Sequence, residues 1–63
     1  MNIWKIGDEF DIKLKSHTYR VRIIDTGKYD GETYYECKAL NVSPWYQHIT
    51  REFSEQQLLK FRV

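Results

Sequence analysis

Hydrophobic and polar residues alternate along most of this 63-residue chain. Phe10, Ile12 and Leu14 alternate with Asp11, Lys13 and Lys15. Tyr19, Val21 and Ile23 alternate with Arg20 and Arg22, and Tyr35, Cys37 and Ala39 with Glu36 and Lys38. Successive side chains of a strand point to opposite faces, so a period of two marks a sheet with one dry face. A helix cannot use this pattern, because its apolar stripe needs a period near 3.6. The chain therefore reads as all-β, mainly antiparallel.

A chain this short is one domain, near the lower size limit for folding alone. Its single cysteine forbids an internal disulfide, so the core must be built from packing. Two Trp, five Tyr and three Phe supply large side chains for that purpose. Cys37 falls on the apolar side of its strand and reads as a small core residue. The net charge of +1 is not the strongly basic field of a generic nucleic-acid binder. No apolar run reaches the roughly 20 residues of a membrane span, and the first residues lack a signal-peptide core. These features lead us to expect a cytoplasmic protein without a membrane partner.

Turn-forming residues divide the chain into strands over 9–15, 18–25, 32–40 and 45–53. Gly7-Asp8 sets up the first strand, Ser16-His17 reverses the chain, and 26–31 reads as a loop. Trp4 and Ile6 are expected to close one end of the fold. Ser54 is a suitable N-cap, with Gln57 three residues later as a capping box requires. Phe53 and Leu58 occupy the positions of a hydrophobic staple. A helical turn is therefore expected here. The alternation of Leu59, Phe61 and Val63 then predicts a short fifth strand over 59–63, against a competing helix continuing to Phe61.

Pairing Leu14 with Tyr19, Ile12 with Val21 and Phe10 with Ile23 keeps the first hairpin's apolar residues on one face. For the second hairpin, two registers have the correct parity. One sets Ile23 against Cys37. The other sets Ile23 against Tyr35 and Arg22 against Glu36, and its charge match favours it. These pairings predict a solvent-face row of Lys13, Arg20 and Lys38, with Tyr34 further along the same face. Basic residues on the outward face of strands are commonly solvation and edge protection, and that reading of the row stands ahead of a binding role. Pro44-Trp45-Tyr46 follows one loop and Tyr29 lies in another. One of Trp45 and Tyr46 is expected to be buried and the other exposed. The candidate binding residues are thus Lys13, Arg20, Lys38, Tyr34, Tyr29, Trp45 and Tyr46.

No catalytic constellation is visible, so an enzyme is not expected, and neither is a cofactor. His17 and His48 have no partner at zinc spacing, so no metal site is expected. Asp8, Glu9 and Asp11 read as a solvated acidic cluster, and Asp30-Gly31 as a turn without a calcium-ligand series. The expected buried set is Ile6, Phe10, Ile12, Leu14, Tyr19, Val21, Ile23, Tyr35, Cys37, Ala39, Phe53 and Leu58.

The order of elements, together with Ile6-Gly7-Asp8-Glu9-Phe10, Tyr19-Arg20-Val21 and Phe53-Ser54-Glu55-Gln56-Gln57-Leu58, resembles uncharacterised small SH3-like barrel proteins of Gram-positive bacteria and their phages. The resemblance is one of layout and covers nearly the whole chain. It implies a five-stranded, partly open barrel with one short helical turn near the C-terminus, and little about activity. The expected function is a small non-enzymatic module that binds a protein partner. The alternative is single-stranded nucleic-acid binding, with the basic row on phosphates and exposed aromatics under bases. The strand edges near Pro44 and the C-terminus permit pairing between copies, so a monomer or weak homodimer is expected.

Overall fold

The computed structural model describes residues 3–63. Four antiparallel strands form one open sheet in the order β1-β2-β3-β4. They are β1 (Glu9–Leu14), β2 (His17–Tyr29), β3 (Glu32–Ala39) and β4 (Thr50–Ser54). A 3-10 turn spans Pro44–Tyr46, and a single helix, α1 (Glu55–Phe61), follows β4 directly. Among the described residues, no helix is long and apolar enough to cross a membrane.

The first hairpin closes through Lys15 and Ser16, with Leu14 opposite His17. Lys15 takes the positive φ of 57° that such a tight loop demands at its first position. Ile12 therefore faces Tyr19 and Phe10 faces Val21. This register is shifted by two residues from the expected Leu14–Tyr19 pairing. A shift of two preserves the face of every side chain, which is why the core survives it.

The second hairpin also differs. The presumed loop over 26–31 is mostly strand, and only Asp30-Gly31 turns, with φ of 53° and 81°. Positive φ at both central residues fits a type I′ turn, for which Asp-Gly is a favoured sequence. Ile23 pairs with Cys37 and Val21 with Ala39, so the register set aside on charge grounds is the one adopted. A bulge at Ile24 then changes the register, placing Asp25 opposite Glu36 and Thr26 opposite Tyr35. Strict alternation after Val21 and Ile23 would drive Asp25 into the core. The extra residue reverses the parity, turning Asp25 outward and Thr26 inward.

The buried core consists of Ile12, Val21, Ile23, Tyr35, Cys37, Phe53 and Leu58. Phe10, Leu14 and Tyr19 pack against it while partly exposed. Ala39 is only half-buried, and Ile6 is exposed at 62%, outside the core. Ile6 lies in a turn whose backbone is anchored by Gly7 N–H donating to the Ile23 carbonyl at 2.8 Å. Of the two residues expected to close this end, Trp4 does so, stacked on Phe10 at 4.8 Å and edge-on to Tyr35 at 5.4 Å.

Tyr35 ties this lid to the helix. Its hydroxyl accepts from the backbone N–H of Ile3 at 3.1 Å and donates to Glu55 Oε2 at 2.6 Å. Burial and the Glu55 hydrogen bond raise its pKa. At the start of α1 the capping box forms as expected: Ser54 Oγ accepts from Gln57 N–H at 3.2 Å, and Gln57 Oε1 accepts from Ser54 N–H at 3.0 Å. The competing reading of the C-terminus prevails over the fifth strand, because the helix runs to Phe61. Leu58 is its one buried residue. Only Arg62 then bridges to Ile12 on the free side of β1, and Val63 N–H donates to the Asp11 carbonyl at 3.1 Å.

Val21 is 3% exposed with no charged partner within the core cluster. Val21→Asp would bury an unpaired carboxylate, a cost of several kcal/mol in a core this small. The variant is expected to lose cooperative thermal unfolding by circular dichroism; an unchanged melt would contradict the core assignment.

Candidate functional site

The registers decide what the outer face of the sheet presents. Arg20 lies opposite Asp11, not Lys13, and its guanidinium is 3.3 Å from Asp11 and 3.9 Å from Glu9. Arg22 lies opposite Glu9 and donates to its carboxylate through Nε and Nη2 at 2.8 and 2.6 Å. Lys13 faces Thr18, and Lys38 sits between Arg22 and Thr50. The expected row of Lys13, Arg20 and Lys38 therefore does not form. The two-residue register shift places arginines beside carboxylates, an arrangement that neutralises the face locally.

Further along the same face lie three carboxylates in one cross-strand row, Asp25, Glu36 and Glu52. Like charges directly opposite destabilise a sheet. Thr50 Oγ1 offsets part of this by donating to Glu36 Oε2 at 3.0 Å. Tyr34 stands beside the row, and its hydroxyl donates to Glu32 Oε2 at 3.1 Å. That hydrogen bond, reinforced by nearby negative charge, raises the Tyr34 pKa. Tyr29 ends β2 opposite Glu32 and is 76% exposed. This part of the surface is acidic and repels a phosphate backbone.

Trp45 and Tyr46 lie in the 3-10 turn, not in a strand. Strand alternation therefore does not apply, and both are exposed, at 75% and 56%. The turn is held by local chemistry. Pro44 sits at its first position, and Ser43 Oγ accepts from Trp45 N–H at 3.4 Å. Gln47 Nε2 donates to the carbonyls of Leu40 and Val42 at 3.3 and 3.1 Å. Asn41 fastens the preceding chain to β2: its Oδ1 accepts from Arg20 N–H and its Nδ2 donates to the Thr18 carbonyl. The 40–49 segment is therefore a shaped wall.

That wall borders a groove of about 710 Å³ on the inner face of the sheet. Its floor is Val21, Cys37 and Ala39. Leu14 and Tyr19 of the first hairpin form one side, and Val42, Tyr46 and Ile49 the other. Phe53 and Phe61 close the end beneath α1, where they meet edge-to-face at 6.2 Å. The basic side chains in its lining are Lys15, His17 and Arg51, and no carboxylate lines it. Arg51 lies opposite Cys37 on the inner face, with its guanidinium 5.9 Å above the Phe53 ring. Of the seven residues singled out from sequence, only Tyr46 lines this groove. Ile49 and Arg51 were hidden because 45–53 reads as one strand, whereas β4 begins at Thr50.

Cys37 forms part of the groove floor but is itself only 3% exposed. Burial, helped by the Glu36 charge, pushes its thiol up to about 11. The thiol is thus protonated at neutral and mildly alkaline pH, and the thiolate is the reactive form. Iodoacetamide at pH 8 is expected to leave the native protein unmodified and to alkylate it fully in denaturant. Rapid native labelling would contradict the buried position of Cys37.

Comparison with protein-family models, with curated proteins and with solved structures gives no match to this chain.

Proposed function

We propose that this chain is a non-enzymatic binding module that grips a segment of a protein partner in the inner-face groove. The observation that carries the reading is an apolar concavity left open on a domain with few residues to spare for its core. Contiguous exposed apolar surface with a polar rim is what interaction sites present. Tyr46 and Ile49, both 56% exposed on its wall, are suited to serve as anchors. We read the sheet further as a partly open SH3-like barrel. The return of Arg62 and Val63 to the free side of β1 supports that reading. Nucleic-acid binding has less support, because Arg20 and Arg22 are paired with Glu9 and Asp11 and three carboxylates share the same face.

Selection of a random peptide library on the immobilised protein tests this. Peptides are expected to enrich, and their affinity to fall about tenfold in Tyr46→Ala and in Ile49→Asp, the scale of an interface anchor. Trp45→Ala, outside the groove, is expected to change little. Failure to enrich any peptide, or enrichment indifferent to both groove variants, would overturn the reading. Tight, salt-sensitive binding of a fluorescent single-stranded oligonucleotide would favour the alternative.

A further inference from the structure

The groove's chemistry specifies more than an apolar partner. Nine acidic residues are present in the chain, yet none lines the groove, while Lys15, His17 and Arg51 do. The opposite holds on the outer face, where Asp25, Glu36 and Glu52 share one row. Between these two electrostatic environments lies β4, the last strand in the sheet order, with no strand on its far side among the described residues. An edge strand presents unpaired backbone N–H and C=O groups, a ready template for another chain.

Building on the groove reading above, we propose that the partner segment is an extended peptide that adds as a fifth strand to the edge of β4. In that position its side chains alternate between the two faces. Inward side chains lie next to Arg51 and Phe53, over the groove, so they are apolar with a carboxylate beside Arg51. Outward side chains lie next to Glu52, so they are uncharged or basic. An amphipathic helix would leave the β4 edge unsatisfied. A second copy of this chain docked about a twofold axis would set the same basic rim against itself, because such contacts are self-complementary.

The test is titration of the isotope-labelled full chain with two short blocked peptides, followed by amide and methyl chemical shifts. Both alternate Thr outward with inward residues that are Leu-Glu-Leu in one and Leu-Lys-Leu in the other. The glutamate peptide is expected to shift the amides of β4 and the groove methyls of Leu14, Val21 and Ile49. Exchanging Glu for Lys is expected to weaken binding about fivefold or more, as loss of an exposed ion pair and gain of a repulsion require. Arg51→Glu, a change at an exposed site, is expected to reverse the preference. N-methylation of alternate peptide amides is expected to abolish strand addition. Equal affinity of both peptides, no binding of either, or shifts confined to α1 and the outer face would overturn the proposal. Groove-dependent enrichment from the random library would then still leave the broader reading standing, whereas its failure would remove both.

Discussion

A sheet with one dry face must cover that face, and the α-helix among the described residues is seven residues long. A helix of that length reaches about 10 Å, less than the span of a single long strand. It contributes one buried residue, Leu58, to the core that also holds Ile12, Ile23 and Tyr35. Trp4 covers the adjoining end by stacking on Phe10. Toward Ala39, Val42 and Ile49 the cover thins, although Val21 and Cys37 on the groove floor are still only 3% exposed. The groove opens where the cover given by α1 and Trp4 ends. Tyr35 joins the two partial covers, because its one hydroxyl bonds both to the backbone of Ile3 and to Glu55.

The division of charge follows from strand pairing. A shift of two residues in the first hairpin leaves every side chain on its face but changes every neighbour. It moves Arg20 from Lys13 to Asp11 and Arg22 from Asp11 to Glu9. The bulge at Ile24 does the converse, changing faces within one strand so that Asp25 joins Glu36 and Glu52 outside. Together they concentrate acids on the outer face near β4 and leave the inner rim to Lys15, His17 and Arg51.

Period-two alternation made the strands, the buried face and most of the core legible in the sequence, and Ser54 with Gln57 marked the helix start. What alternation cannot encode is register in steps of two, because parity is unchanged. Loop length settles that, and the Lys15-Ser16 turn carries no glycine or asparagine to announce it. The charge match of Arg22 with Glu36 pointed to the wrong second register because a bulge was not foreseen. The extent of β2 was hidden by Thr26, Gly27 and Lys28, which resemble loop residues, although Asp30-Gly31 was a sufficient turn by itself. The groove was illegible for a related reason. Val42 and Ile49 reach it from a segment shaped by Asn41 and Gln47 side-chain hydrogen bonds, which no periodicity reports.

The central physical claim is that an apolar groove, walled by Leu14, Val42, Tyr46 and Ile49, stands open to water beside the buried core. Paramagnetic relaxation of methyl protons by a soluble gadolinium complex measures this directly. Strong relaxation at Ile49, intermediate relaxation at Leu14 and Val42, and protection of Ile12, Ile23 and Leu58 would agree with an uncovered groove beside a sealed core. Uniform protection of all these methyls in the monomer would mean the inner face is closed, and the account would fail.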